Sequence, residues 1–394
     1  MRGKKRLVLI FSAIAGLVLL FSQCMETDKS NGDDLSVSDT TFAAEKTCIQ
    51  CHKNTYDTFK QDPHFNTSRP IKDFDLFAGN SAHTNTYVFD QHLEMAIEKR
   101  DSGMYQAVYI DGHEQFAKRF DVAIGSGKNA ITYASWKSSN LTQLQLSYFT
   151  KINSWANSPG YPDKRIYARI IEMRCLECHG SHAALKETSA SSTADPRDIN
   201  KSSVVYGINC QRCHGPSAQH VEFHVKNPNE KVAKYVARYQ ELSRKHQVDA
   251  CAVCHSGNDK VALKTTFGFK PGDDIESYFE SAAQDVSAPD VHGQQNEMLA
   301  SSQCYIKSKD LTCNSCHSIH GTKTEGLTPY SKKCISCHAT PKHSENTLKN
   351  AMVKTNCIDC HMPMQSSKAI SYKLASESKV TDYYLRTHKI AVYP

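Results

Sequence analysis

Large apolar side chains are scarce in this sequence. Its 394 residues include only 2 Trp, and hydrophobic residues make up 39% of the chain. A chain of this length can form two or three domains, but so few apolar side chains leave little material to fill a large interior. We therefore expect something other than side chains to occupy part of that interior.

The sequence also lacks an apolar run long enough for an ordinary membrane-spanning helix. Residues 7–22 form an apolar run of 16 residues after the basic stretch "MRGKKR", whereas a spanning helix needs about 20. This pattern is typical of a secretory signal, and Cys24 at its end predicts cleavage before this residue and lipidation of its thiol. Because Phe21 and Gln23 depart from the usual lipobox, an uncleaved anchor or ordinary signal cleavage stays open.

All three alternatives predict export of the chain, to the periplasm or the outer surface. Residues 25–45 are polar and contain few large apolar side chains, as expected of a tether between a membrane and a folded domain. We therefore expect the chain to be held at a membrane by a lipid on Cys24.

Cysteine and histidine, by contrast, are abundant, with 16 and 19 residues. Fourteen of the cysteines fall into seven copies of one pattern, C-x-x-C-H, a repetition far beyond chance. The cysteine pairs are Cys48 and Cys51, Cys175 and Cys178, Cys210 and Cys213, Cys251 and Cys254, Cys313 and Cys316, Cys334 and Cys337, and Cys357 and Cys360. The histidines that follow them are His52, His179, His214, His255, His317, His338 and His361.

The spacing within each motif follows helix geometry. Positions i, i+3 and i+4 share one face of a helical turn, so two thiols can form thioether bonds to the vinyl groups of one haem while the imidazole reaches its iron. This is the c-type haem attachment pattern. A disulfide framework, which export would permit, gives no reason for the histidine, and zinc ribbons pair their knuckles, so seven would leave one unpaired. The sequence therefore predicts seven covalently bound haem c groups.

Seven haems would change both the filling of the interior and the net charge of the protein. Their porphyrins would supply the apolar material that the side chains do not. The formal net charge is +6, but removal of residues 1–23 takes away four basic residues, and fourteen propionates would make the mature protein negative. We therefore expect the basic residues to pair with propionates, and no binding of nucleic acid.

The motif histidine supplies one axial ligand of each haem iron, and the identity of the sixth ligand stays open. Two imidazoles close the site and favour electron transfer, methionine raises the potential, and an open position permits substrate binding. His182 and His320 each lie three residues after a motif histidine and are expected to cap a neighbouring haem. The full set of candidate distal ligands is His64, His182, His220, His224, His292, His320, His343 and His388.

Three sulfur-containing residues lie near the motifs without belonging to them. Met362 and Met364 follow His361 on the proximal side, where folding back onto the same iron is sterically awkward, so we expect them to pack against the macrocycle. Cys304 is expected to be a buried, inert thiol, although a role as an iron ligand or a reactive thiol stays open.

The segments between the motifs differ in their periodicity. Period-two alternation over residues 84–150 predicts a small antiparallel β insert, and helical spacing of apolar residues over 228–247 predicts an amphipathic helix. Residues 186–200 are typical of a low-complexity loop. The resulting organisation is a signal peptide with its lipidation cysteine (1–24), a tether (25–45), a first haem segment (46–83), the β insert (84–150) and a domain with six haems (151–394).

Several stretches resemble a known family. "YGINCQRCHGPSAQH", "DVHGQQNEMLASSQCYI", "LTCNSCHSIHGT" and "CIDCHMPMQ" are similar to exported multihaem c-type cytochromes of the nitrite reductase, hydroxylamine oxidoreductase and octahaem tetrathionate reductase superfamily. The resemblance covers about residues 46–82 and 170–390. It implies a mostly α fold with long loops around a stacked multihaem core, in addition to the β insert, with mainly bis-histidine ligation.

The sequence departs from the enzymes of that superfamily. Cytochrome nitrite reductases commonly carry C-x-x-C-K at the catalytic haem, and none of the seven motifs has this lysine. Hydroxylamine oxidoreductases cross-link a tyrosine to the haem, and nothing singles out Tyr383 or Tyr384 for that role. No catalytic residue can therefore be carried over.

Two functions follow as hypotheses. The first is a membrane-tethered electron carrier between a respiratory donor, such as a quinol-oxidising complex, and another redox protein. The alternative is an oxidoreductase that acts on a small nitrogen or sulfur compound at one open haem.

Overall fold

The computed structural model describes most of the chain after the tether. The described residues are 42–73, 85–161, 169–186, 197–257, 260–281, 286–287, 289, 294–321, 326–349, 351–375, 377 and 379–393. The predicted signal segment with Cys24, most of the predicted tether and most of the predicted loop 186–200 lie outside them. Among the helices of the described ranges, none is long and apolar enough to cross a membrane.

The described strands form four antiparallel sheets. The two larger sheets have the strand orders β1-β6-β7-β8-β9 and β2-β3-β4-β5, and β10 with β11 and β12 with β13 form two-stranded ladders. The strands are β1 (Ser68–Pro70), β2 (Thr86–Val88), β3 (Leu93–Arg100), β4 (Gly103–Ile110), β5 (His113–Arg119), β6 (Val122–Ile124), β7 (Ala130–Lys137), β8 (Asn140–Phe149), β9 (Ser154–Asn157), β10 (Gly180–His182), β11 (Val205–Tyr206), β12 (Met364–Tyr372) and β13 (Thr381–Arg386).

The two larger sheets share one apolar core. Met95 on β3 and Leu146 on β8 are fully buried in the same cluster, as alternation along each strand requires. Tyr133 stacks on Phe120 with ring centroids 4.7 Å apart and packs against Trp155 at 5.4 Å. This β-rich unit thus has a conventional side-chain core.

The β-rich unit is larger than the small insert that alternation predicts over residues 84–150. Strand β1 lies before that range and β9 after it, and the strands divide into two sheets. Strands of three or four residues are too short for a period of two to be recognised, which explains why both were missed.

The helices are mostly short. Only α1 and α5 are longer than nine residues among the described helices. The helices are α1 (Glu45–Phe59), α2 (Met173–His179), α3 (Cys210–His214), α4 (Ala218–Lys226), α5 (Arg244–His255), α6 (Gln295–Ala300), α7 (Gln303–Lys307), α8 (Thr328–Ile335), α9 (Glu345–Leu348) and α10 (Ile358–His361).

The mostly α fold implied by the resemblance is therefore wrong. The described chain has four antiparallel sheets and few long helices. The physical reason is that a C-x-x-C-H motif needs one helical turn to place its three side chains on one face. Seven motifs can thus be satisfied without long helices.

The amphipathic helix predicted over residues 228–247 is also wrong. Within this range only a 3₁₀ turn, Tyr239–Glu241, and the start of α5 are helical. Tyr235 adopts a left-handed backbone with φ 56°, which interrupts a right-handed helix. Val232 and Tyr235 remain 43% and 42% exposed, so their helical spacing does not correspond to a buried face.

Candidate haem-binding sites

Each of the seven motifs forms a helical turn, and we number the turns as sites in chain order. The backbone N–H groups of His317, His338 and His361 donate to the carbonyl oxygen of the first cysteine of their own motif, at 3.0, 2.9 and 3.0 Å. The sites are site 1 (48–52), site 2 (175–179), site 3 (210–214), site 4 (251–255), site 5 (313–317), site 6 (334–338) and site 7 (357–361). This geometry places both thiols and the imidazole of a motif on one face.

Five motif histidines face a second imidazole at a nearly constant separation. The separations join ring centroids and span only half an ångström. The pairs are His52 and His220 at 6.3 Å, His255 and His64 at 6.0 Å, His214 and His320 at 5.8 Å, His317 and His388 at 6.2 Å, and His361 and His343 at 6.2 Å.

This separation is the one that a shared metal ion requires. A metal–nitrogen bond of about 2.0 Å and about 1.1 Å from each nitrogen to its ring centroid place two axial imidazoles about 6.2 Å apart. Two rings with nothing between them can approach more closely, as His220 and His224 do with centroids 4.7 Å apart. The five pairs therefore fit a haem iron between their two rings.

Hydrogen bonds to the ring nitrogens orient several of these imidazoles. Nδ1 of His220 lies 2.8 Å from the carbonyl oxygen of Lys234, and Nδ1 of His361 lies 2.8 Å from that of Ala391. A carbonyl only accepts, so Nδ1 carries the proton and donates, which leaves the Nε2 lone pair for a metal. These bonds select the tautomer that an axial ligand needs.

Burial keeps other members of the pairs neutral. It lowers the pKa of His255 to about 4 and that of His388 to about 4, with neighbouring imidazoles acting in the same direction. The neutral form of imidazole is the metal-binding form. Both rings are thus in the ligating state at neutral pH.

The structure distinguishes between His220 and His224, which the sequence leaves as equal candidates. Both lie on α4, one turn apart, but only His220 faces a motif histidine. Nε2 of His224 accepts a hydrogen bond from the backbone N–H of Lys234 at 3.3 Å. The lone pair that a metal would need is therefore already used in His224.

The remaining candidates are placed differently. His182 lies between Phe42 and Phe267, with ring centroids 6.4 and 5.6 Å away, and His292 lies outside the described residues. At site 2, Nδ1 of His179 lies 2.8 Å from the hydroxyl of Thr67. In the part of the chain that the structure describes, no second imidazole faces His338 of site 6.

The three other sulfur side chains lie close to the sites. Met364 begins β12 and is paired with Arg386 of β13, and the carbonyl oxygen of Met362 accepts from the Arg386 guanidinium at 2.8 Å. The imidazole that faces site 7 comes from His343. Cys304 on α7 is partly buried, and burial raises the pKa of its thiol.

Thiols from different motifs lie close enough to shift one another's pKa. This proximity joins the sites in pairs. It links Cys48 with Cys210 (sites 1 and 3), Cys178 with Cys254 (sites 2 and 4), Cys251 with Cys313 (sites 4 and 5), and Cys334 with Cys357 (sites 6 and 7). Since each thiol would be bonded to a porphyrin edge, the edges of the joined haems would be close.

Site 4 is the junction of this network. Its two thiols lie near those of site 2 and site 5, and Cys213 of site 3 lies close enough to Cys254 for an electrostatic effect on its pKa. Cys304 interacts in the same way with Cys316 of site 5 and Cys334 of site 6. A continuous series therefore runs through sites 1, 3, 4, 5, 6 and 7, with site 2 beside site 4.

The buried guanidinium of Arg212 links the second and third motifs to residues 265–266. The guanidinium of Arg212, in the third motif, donates to the carbonyl oxygen of Glu177 at 2.9 Å and to that of Thr266 at 2.7 Å. Glu177 belongs to the second motif, and its carboxylate accepts from Thr265 at 2.6 Å. Sequence reasoning missed Arg212 because it occupies one of the two variable positions of its motif.

A group of three carboxylates near site 4 resembles a metal site but already contains a cation. Asp249, Asp274 and Glu276 converge, and the ammonium of Lys245 contacts them at 2.6, 2.7 and 2.8 Å. Burial acts to lower the pKa of Lys245, but its hydrogen bonds to the three carboxylates raise this pKa. Its hydrogen bonds in turn lower the pKa values of Asp274 and Glu276.

Replacement of Lys245 by Met is expected to lower the free energy of unfolding by about 1–2 kcal/mol at pH 7, because the buried Asp249 loses its cation. Carboxylates with lowered pKa values contribute stability above about pH 4, and this contribution is lost as the pH falls through the folded-state pKa. The difference from wild type should therefore shrink as the pH falls from 7 to 3. Denaturant unfolding at pH 7, 5 and 3 measures it, with Lys99→Met as the exposed control; a difference independent of pH would contradict the ion-pair explanation.

Two comparisons place the chain among known proteins, although no protein-family model matches it. It is 27% identical over 194 residues to the multiheme cytochrome MtrA of Shewanella baltica (strain OS185), a match that covers 42% of this chain and 52% of MtrA. The chain therefore spans about half the length of that relative. The outer cell wall cytochrome OcwA has a similar fold, with a TM-score of 0.53 and 13% identity over 89% of this chain and 79% of OcwA. With the motifs, these similarities support a multihaem c-type cytochrome.

Proposed function

We propose that this chain is a heptahaem c-type cytochrome that transfers electrons between a respiratory donor and another redox protein. The observation that carries the proposal is the set of five imidazole pairs at 5.8–6.3 Å. Two axial imidazoles leave no position for a substrate and favour electron transfer. Similarity to a multiheme cytochrome supports the same conclusion.

Different residues would attach the porphyrins and bind the irons. The fourteen motif cysteines would hold the porphyrins, and the seven motif histidines would bind the irons. The distal ligands would be His220, His64, His320, His388 and His343, at sites 1, 4, 3, 5 and 7 in that order. When bound, haem supplies one-electron exchange between ferric and ferrous iron.

Export and membrane attachment belong to the same proposal. The basic and apolar N-terminal residues and Cys24 support a lipid-tethered protein outside the cytoplasm, in the periplasm or on the outer surface. Attachment at a membrane favours a quinol-oxidising complex as the electron donor. Membership of the nitrite reductase and hydroxylamine oxidoreductase superfamily stays a prediction.

A second function has one observation in its favour. Within the described ranges, no imidazole faces His338 at site 6, and an open iron there would allow a small nitrogen or sulfur compound to bind. Absorption and EPR spectra with nitrite, hydroxylamine and sulfite separate the two functions. A high-spin signal that changes with one of these compounds would favour the oxidoreductase.

The proposed function is tested on the purified holoprotein. A pyridine haemochrome assay should give seven haems per chain, and a spectroelectrochemical titration should show all of them exchanging electrons reversibly. Fewer than seven haems would contradict the motif argument, and haems that stay oxidised in dithionite would contradict the role as a carrier.

The orientation of one imidazole pair predicts a distinct EPR signal. The rings of His64 and His255 are inclined at 83°, whereas those of His52 and His220 are inclined at only 21°. Perpendicular axial planes leave two iron d orbitals nearly equal in energy, which makes the low-spin signal strongly anisotropic. We expect one such signal in the wild type and its loss in His64→Ala; a wild-type spectrum without it would contradict the geometry at site 4.

A further inference from the structure

The segment that contributes the distal histidine of site 7 is rich in lysine. Within residues 328–349 the side chains of Lys332, Lys333, Lys342 and Lys349 are all exposed. None of the four forms an ion pair with a described residue, and Glu345 is the one acidic residue of the segment. We call residues 328–349 the lysine loop.

The lysine loop is fixed on the candidate haem sites at several points. Ser331 accepts a hydrogen bond from the backbone N–H of Cys357 at 3.0 Å. Further along the loop, His343 faces His361 at 6.2 Å. The loop also contains the motif of site 6 itself, residues 334–338. The lysines therefore lie around sites 6 and 7, at one end of the series of sites.

Two apolar residues lie beside the lysines. Leu348 is 47% exposed and Met352 55% exposed, and Leu348 is adjacent to Lys349. An apolar centre with a polar rim is the usual anatomy of a protein interface, and Leu348 and Met352 with the lysines beside them match it. Such positive charge also steers an acidic partner toward the surface and increases its association rate.

We propose that the lysine loop is the docking surface for an acidic electron-transfer protein, which exchanges electrons with the chain through sites 6 and 7. This inference rests on the proposed function as an electron carrier. A protein partner is favoured over an anionic membrane because the loop also contributes an axial ligand candidate, His343, so a redox centre docked here would be close to a haem. A lipid surface would gain nothing from that position.

The test compares two triple variants of equal charge change in the full-length holoprotein. One is Lys332→Glu, Lys342→Glu and Lys349→Glu in the lysine loop. The matched control is Lys72→Glu, Lys99→Glu and Lys137→Glu, three exposed lysines in the β-rich part of the chain. The probe is reduced flavodoxin, a small acidic one-electron donor, and the rate of haem reduction is followed by stopped-flow absorbance from low to high salt.

We expect the loop variant to react about 10- to 100-fold more slowly than wild type at low salt and to lose most of the salt dependence. The control variant should slow by less than about threefold, since its charges lie outside the lysine loop. Equal slowing of both variants, or an unchanged rate in the loop variant, would overturn the proposal.

Two further measurements separate the alternatives. Haem content and midpoint potentials should be the same in both variants; if the loop variant changes them, the lysines serve the propionates and the docking proposal is overturned. Loss of binding to phosphatidylglycerol vesicles with an unchanged flavodoxin rate would overturn it in favour of lipid. Dithionite needs no docking, so failure of dithionite to reduce the wild type would count against the proposed function itself.

Discussion

Replacement of His220 by Ala is expected to open the sixth position of one haem iron, whereas replacement of His224 by Ala should leave every iron as it was. His220 faces His52 at 6.3 Å, while the Nε2 lone pair of His224 is used by the backbone N–H of Lys234. The two residues lie one turn apart on α4, so the variants are matched in position and in the size of the truncation.

The opened iron should be visible in several ways. One haem of the seven should become high-spin in the EPR spectrum, and in its reduced state it should bind carbon monoxide, because loss of an axial imidazole leaves a coordination position free. Added imidazole should restore the low-spin spectrum. High-spin haem in His224→Ala, or none in His220→Ala, would contradict the assignment of His220 as the distal ligand at site 1.

Removal of the thiols of site 4, by Cys251→Ser with Cys254→Ser, is expected to slow electron exchange between the two ends of the protein by orders of magnitude. The thiols of site 4 lie near those of sites 2 and 5, and site 3 lies beside them. Electron tunnelling falls off exponentially with distance, so loss of the central haem would leave a gap that electrons cross very slowly.

The matched control is Cys357→Ser with Cys360→Ser at site 7, which lies at the end of the series and whose loss should leave the other haems connected. Both variants should retain six haems by pyridine haemochrome assay, which verifies that they fold around the rest. Partial reduction by a light pulse, followed by the approach to equilibrium, measures the exchange. Equal rates in the two variants would show that site 4 is not the junction.

The helical turns of the C-x-x-C-H motifs could be predicted from the sequence because the motif is local. Two thiols and an imidazole within five residues need only one helical turn, so no tertiary information is required. The distal partners are different: His52 and His220, or His64 and His255, are brought together by the whole fold. The sequence nominates His220 and His224 equally; the structure distinguishes them, because His220 faces His52 while Nε2 of His224 accepts from the backbone N–H of Lys234.

The fold class was predicted less accurately than the helical turns of the motifs. The resemblance rests on motif-bearing stretches, which say little about the chain between them, and so the sheets around β1–β9 were underestimated and the helical content overestimated. Arg212 and Lys245 gave no signal either, because a cation that bonds backbone carbonyls or a group of carboxylates looks like any other Arg or Lys in a sequence. Both became visible only through their contacts.

The imidazole pairs have a further consequence for how the protein matures. A metal held between two histidines closes a loop of chain, as a disulfide does, and longer loops restrict the unfolded state more. The pairs of His64 with His255, His52 with His220 and His214 with His320 would close loops of about 190, 170 and 110 residues. Site 5 would be completed only by His388, about 70 residues after His317, so a nascent chain would carry an attached haem whose iron lacks its second ligand until the segment around His388 has folded.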